Sequence, residues 1–249
     1  MKKCAYCGKS EKLTKEHIWP STLIRKYENL LTYNKNEDKF YKGDAVIKDV
    51  CSECNNVHLS KLDSYLSDIF DAHLKRILTP GESALLNYDY DKLLRALLKI
   101  SFNSARASAS EKIIKAHQKF ATYILEGIHR GNIMLRLQIV TAVRAINLQE
   151  NTEEMVMPEI LRCADIAYDG ALANRFMIRM IAVNSFWFYI IIPHKNEPQH
   201  KWRELLNGFC NWTIQPGVLV NSSSRKLEIP KEKTTYFHPQ LFGKLLNAP

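Results

Sequence analysis

Lys3-Cys4-Ala5-Tyr6-Cys7-Gly8 and Val50-Cys51-Ser52-Glu53-Cys54-Asn55-Asn56-Val57-His58 decide the fold of the first part of this chain. Each stretch carries a Cys-x-x-Cys pair, and two such knuckles supply the four thiolates of one tetrahedral zinc site. Four sulfurs leave zinc no open position, so the metal expected at Cys4, Cys7, Cys51 and Cys54 holds structure and does no chemistry. Closing the site would carry Lys15-Glu16-His17 next to Asn55–His58, far away in sequence. The N-terminus, Met1-Lys2-Lys3-Cys4, has no apolar stretch behind it, so no ordinary signal peptide is expected. The longest apolar run, Phe186 to Ile192, is too short to span a bilayer. A cytoplasmic location is therefore expected, and in a reducing compartment paired Cys-x-x-Cys cysteines read as metal ligands rather than disulfides. A redox reading is weak, because no thioredoxin-like βαβ pattern surrounds either pair. Cys163 and Cys210 stand alone and read as small buried hydrophobes.

The 249 residues allow one large or two modest domains, each with its own core. Hydrophobic residues make up 46% and charged residues 24%, a globular balance that argues against disorder. The net charge of +9 points towards polyanionic partners, above all nucleic acid, although a basic soluble protein without that role has the same balance.

Outward from the knuckles, residues 15–24 read as extended, and residues 25–44, with Lys35, Asn36, Glu37, Asp38 and Lys39, as a surface loop. Ala45–Val50 reads as a strand leading into the second knuckle. A helix is expected from Ser52, with Leu59, Leu62, Leu66, Ile69, Phe70, Leu74, Ile77 and Leu78 on its apolar face, stopped by Thr79-Pro80-Gly81. The boundary placed there gives a zinc-bound module over 1–79 and an α+β domain of unknown role over 80–249. The second part opens with helical stripes, Leu93-Leu94-Leu97-Leu98 and then Ile113 to Ile128, closed by Gly127 or Gly131. A shorter helix is expected over Leu135–Ile146. Phe176–Val183 and Phe186–Ile192 read as a hairpin around Asn184-Ser185. Lys201–Phe209 reads as a helix, with further strands at Val218–Val220 and Lys226–Ile229. The fold class is α+β: a ββα module, a mainly helical region, and a C-terminal hairpin or small sheet.

Hydrolysis of a phosphodiester needs an activated water, a stabilising charge and protonation of the leaving group. His17 is suited to act as the base, and Glu16 as a hard-oxygen ligand for a divalent ion. In an extended segment neighbouring side chains point to opposite faces, so Glu16 and His17 share one centre only where the strand bends. On the following helix, Asn55, His58 and Leu59 fall on one face. Asn55 offers an amide oxygen to a metal, and His58 a donor to phosphate or a metal ligand. Read singly, Asn55 and Asn56 are also ordinary helix-start caps, and His58 a solvated helix position.

Together, Cys-x-x-Cys, Glu16-His17-Ile18-Trp19-Pro20 and Cys-x-x-Cys-Asn55 resemble the HNH nuclease family in its zinc-ribbon, ββα-metal form, over about residues 4–66. The resemblance implies structural zinc at the four cysteines and Mg²⁺ or Mn²⁺ at Glu16 and Asn55. It implies His17 as the general base and His58 as a basic residue near phosphate. The middle Asn of the family motif is replaced by Val46, with Asp44 two residues off. The implied function is an endonuclease acting on nucleic acid, DNA first. The alternative is a zinc-stapled nucleic-acid or protein adaptor without catalysis, supported by Val46. Small nucleases of this family often belong to bacterial antiviral defence or mobile elements. Residues 80–249 are expected to recognise substrate, sense a ligand, or dock a protein partner or second copy. Phe186-Trp187-Phe188-Tyr189 reads as an aromatic core strand before a base-stacking surface. His194, Lys195, His200, Lys201 and Arg203 read as a solvated loop before a basic patch.

Overall fold

A computed structural model describes residues 2–28, 30–34, 39–42, 45–129, 131–147, 151–168, 170–209 and 217–237. Asp44 and Cys210 lie outside them. The chain divides into two compact units, each assembled from two segments: Met1–Asp71 with Asp89–Ile133, and Ala72–Tyr88 with Met134–Pro249. This division differs from the expected boundary after Thr79, because the helical stripes past residue 89 pack with the cysteine module.

In the first unit, β1 (Leu13–His17) is followed at Pro20 by a single helical turn, α1 (Ser21–Ile24). Pro20 precedes the first helical position and ends the extended run sooner than expected. β2 (Leu31–Asn34) and β3 (Lys39–Lys42) pair as a hairpin where a loop was expected. The β-prone Leu31, Thr32, Tyr33, Phe40 and Tyr41 override the charged composition around them. β4 (Val46–Cys51) runs antiparallel to β1, with Leu13 opposite Cys51, Glu16 opposite Ile47 and His17 opposite Val46. The chain then turns into one helical stretch: a π-helical turn at Cys54–Leu59, α2 (Ser60–Ile69), and a second π-helical turn at Phe70–Leu74. Leu59, Leu62, Leu66, Ile69, Phe70 and Leu74 are buried along it, as the three-to-four spacing requires. α3 (Tyr90–Ala107) starts at Asp89, whose carboxylate accepts from the Lys92 N–H at 3.1 Å. Its Leu93, Leu94, Leu97 and Leu98 are buried. α4 (Glu111–Gln118) and α5 (Ala121–Glu126) follow, and Gly127 ends α5 in the left-handed region at φ 78°.

The second unit is built on a six-stranded sheet. β6 (Met134–Thr141), β9 (Leu161–Asp165), β10 (Phe176–Val183), β11 (Phe186–Pro193) and β12 (Val218–Leu219) lie in the order β12-β6-β11-β10-β9. β14 (Thr234–Tyr236) runs parallel to the end of β6. β5 (Ala84–Asn87) pairs with β13 (Lys226–Ile229), and β7 (Val143–Asn147) with β8 (Thr152–Val156). The helix expected over Leu135–Ile146 is thus β6 and β7. Leu135, Leu137 and Ile139 alternate with Arg136 and Gln138, a two-residue period that suits a strand. Every residue of β10 and β11 is buried, so Phe186–Tyr189 is core. α6 (Gln199–Phe209) packs Trp202 against Phe176, ring centroids 4.7 Å apart. The β10–β11 turn catches the segment after the long helix: Asn184 Nδ2 donates to the Leu74 carbonyl at 3.1 Å, and the Leu78 N–H donates to Ser185 Oγ at 2.8 Å. Among the described residues no helix is long and apolar enough to cross a membrane.

Candidate functional site

Cys4, Cys7, Cys51 and Cys54 bring their Sγ atoms within 4.8 Å of one another. Cys7 and Cys51 are 3.7 Å apart at sulfur. Zinc at its usual ~2.3 Å from four tetrahedral sulfurs needs separations of about 3.8 Å, so the four thiols fit a zinc ion. The knuckle is shaped by backbone bonds: Gly8 N–H donates to Cys4 O at 2.9 Å, and Ala5 N–H donates to the Asp49 carbonyl of β4 at 2.9 Å. Gly8 holds φ 73°, which the turn requires. Burial disfavours ionisation of the Cys4 thiol, but the backbone N–H groups of Cys7, Cys51 and Tyr6 outweigh it and bring Cys4 down to about 7. Burial and the neighbouring sulfurs push the Cys51 and Cys54 thiols up. A divalent ion held by these four thiols would reverse that balance and favour their thiolate forms.

Sealing this staple sets β1 against the helix that follows β4. Asn55, directly after the last cysteine, donates through Nδ2 to Thr14 Oγ1 at 2.9 Å and to the Lys15 carbonyl at 2.8 Å. Asn55 therefore meets the strand one residue before Glu16-His17, as the ligand spacing suggested. Asn56 caps locally onto Ser52 Oγ at 2.9 Å.

Glu16 is not on a solvent-facing metal site. It is 2% exposed, and its Oε1 accepts from Lys99 Nζ of α3 at 2.6 Å and from Asn103 Nδ2 at 3.2 Å. Lys99 reaches Asp63 Oδ1 of α2 at 2.7 Å as well, so one buried ammonium joins two carboxylates from different elements. Burial pushes the Glu16 carboxyl up, against the pull of Lys99. The physical cause is the period of the strand: Glu16 faces inward with Ile47, and its neighbour His17 lies on the other face, opposite Val46. A bulge between Thr14 and Glu16 does not bring the two side chains to one side.

The network continues along α3. Asn103 Nδ2 also donates to the His17 carbonyl at 3.0 Å, while Asn103 Oδ1 accepts from Tyr6 Oη at 2.7 Å and Arg106 Nη2 at 2.8 Å. Arg106 Nε donates to Asp49 Oδ2 at 2.8 Å, and its guanidinium lies 4.0 Å from the Phe102 ring centroid. Lys99, Asn103 and Arg106 thus bind β1, β4 and the first knuckle to one helix. Sequence reading missed them, because their only signal is a polar stripe at three-to-four spacing inside an apolar helix. His58, expected near phosphate, is engaged at one ring nitrogen within the first unit. Its Nδ1 lies 3.2 Å from the Leu125 carbonyl at the end of α5, which Arg95 Nη2 also contacts at 2.8 Å. A carbonyl only accepts, so Nδ1 carries the proton.

Glu16, named as a ligand for a divalent ion, therefore does not fit that role as arranged: its Oε1 is engaged by an ammonium and an amide. The Asn55 amide nitrogen grips the strand, which engages Nδ2 and not the amide oxygen named as a ligand. No family model, no curated protein and no solved structure matches this chain.

Proposed function

We propose that the first unit is a nucleic-acid-directed module of the HNH type that hydrolyses phosphodiesters, DNA first, with His17 as the base that takes the proton of the attacking water. One observation carries the reading. Asn55, following the last cysteine, is bonded to Thr14 and Lys15 immediately before Glu16-His17. The antiparallel β1–β4 pair, the helix behind it and the four-thiol staple are consistent with that module. Glu16 acts as a positioning residue: through Lys99 and Asn103 it fixes the strand that carries His17.

A second reading, a zinc-stapled nucleic-acid-binding adaptor without cleavage, is favoured by the Glu16–Lys99 pair and by Val46 opposite His17. One experiment separates the two. Zinc-loaded protein is incubated with duplex DNA, single-stranded DNA and RNA, with and without Mg²⁺ or Mn²⁺. Hydrolysis that vanishes in His17→Ala, with zinc content and melting temperature unchanged, supports the nuclease. Intact substrates throughout, with binding preserved in His17→Ala, sink it and leave the adaptor.

A further inference from the structure

We propose that the solvent face of the β1–β4 hairpin is a phosphate-binding face, in which Lys15 and Lys48 hold the backbone of a nucleic acid beside His17. This deepens the reading above by naming its substrate-binding surface. It starts from how the hairpin sorts its charges. Thr14 pairs with Val50 and Glu16 with Ile47, so the single residue Lys15 of β1 opposes two residues of β4, Lys48 and Asp49. One residue against two is a β-bulge, a device that re-aims side chains. Here it separates the signs. Asp49 turns inward and pairs with Arg106, and Glu16 turns inward and pairs with Lys99. Both carboxylates of the strand pair are neutralised from behind by α3. Lys15 and Lys48 are exposed on the outer side, and among the described residues neither ammonium group has a hydrogen-bond or ion-pair partner.

Like charges facing one another across a strand pair are destabilising. The two acids of the strand pair are engaged on the other face. The remaining exposed acid of the second knuckle, Glu53, is bonded to Lys9 at 3.0 Å. An external anion would relieve two such ammonium groups further than water does, and a chain of phosphates would supply one for each. The backbone under them is fixed, because the Lys15 carbonyl accepts from Asn55 and the Ala5 N–H is bonded to the Asp49 carbonyl. His17, next along the same face as Val46, then lies beside the bound backbone.

Each lysine that neutralises a DNA phosphate contributes about 0.9 to the slope of log K against log salt. The test uses the full-length, zinc-loaded protein and a fluorescein-labelled duplex, titrated by anisotropy from 50 to 200 mM salt. For Lys15→Ala/Lys48→Ala the slope should fall by about 1.8, and binding at 0.1 M salt should weaken by about 60-fold. A control, Lys231→Ala/Lys233→Ala, removes the same net charge from exposed positions of the second unit and should change affinity less than about threefold. The proposal is overturned if the double variant binds within twofold of wild type, if it weakens no more than the control, or if wild type prefers polyglutamate to the duplex. Failure is distinguishable from failure of the hydrolytic reading. Lysine-dependent binding without cleavage keeps this face and discards the nuclease, whereas cleavage indifferent to both lysines does the reverse.

Discussion

Removing the Lys99 ammonium tests whether the first unit is organised around a buried charge cluster. Its Nζ lies 2.6 Å from Glu16 and 2.7 Å from Asp63, and the Lys99 side chain is 1% exposed. Lys99→Met keeps the stem volume and deletes the cation, leaving the Glu16 carboxylate buried without its counter-ion. Breaking one partner of a buried pair costs about 3–5 kcal/mol, far more than an exposed pair would. The protein escapes part of this by protonating Glu16, whose carboxyl is already raised by burial. A group whose folded pKa lies above its unfolded value contributes stability that is full below the unfolded value and is lost as pH rises through the folded one. The Lys99→Met penalty should therefore be larger at pH 8 than at pH 5.5. Adding Glu16→Gln should recover at least half of it at pH 8, since the buried charge is gone. Urea unfolding of zinc-loaded single and double variants, followed by tryptophan fluorescence, gives the cycle. A Lys99→Met cost under about 1 kcal/mol at pH 8, or a Glu16→Gln change that adds to it rather than offsetting it, would refute the reasoning.

Chelation should release one zinc per chain and lower the melting temperature of the first unit steeply, since structural zinc contributes about 10–16 kcal/mol in small domains; metal release read by a colorimetric chelator alongside circular dichroism checks this. Asn55→Ala should cost about 1–3 kcal/mol, because Thr14 Oγ1 and the Lys15 carbonyl lose their shared donor, and hydrogen exchange should quicken in β1 before it does in α3. Gly217→Ala should destabilise the second unit by more than about 2 kcal/mol: a Cβ there would stand 2.2 Å from the Leu137 carbonyl oxygen, and the backbone holds φ 63°. Calorimetry resolving the two units should show that loss in one transition only.

Periodicity and ligand spacing made much of this molecule legible. The leucine stripes of the long helix and α3, the β10–β11 hairpin around Asn184-Ser185 and the four-thiol cluster all follow from local pattern. Leu135–Ile146 misled because its apolar content hid a two-residue alternation, and the β2–β3 hairpin was masked by its charges. Glu16 shows a different limit. Its neighbours in sequence suggest a ligand, but its partner Lys99 lies 83 positions away on a helix whose lysine looks like an ordinary surface residue. A motif names residue types in order. It does not say which face of a strand the rest of the chain will cover.

The interleaving of the two units gives the chain a direction of assembly. By the time Ile133 has been made, everything the first unit contains exists, including both knuckles and the helix that carries Lys99. The second unit by then has only Ala72–Tyr88, whose β5 must wait for β13 and whose Leu74 and Leu78 must wait for Asn184 and Ser185. On a ribosome, metal capture can thus precede the sheet, and the first unit can finish while the segment 72–88 hangs from it as an unsatisfied arm. Cutting the chain at any single point between 72 and 134 leaves at least one unit incomplete, so neither unit can be had by scissors alone.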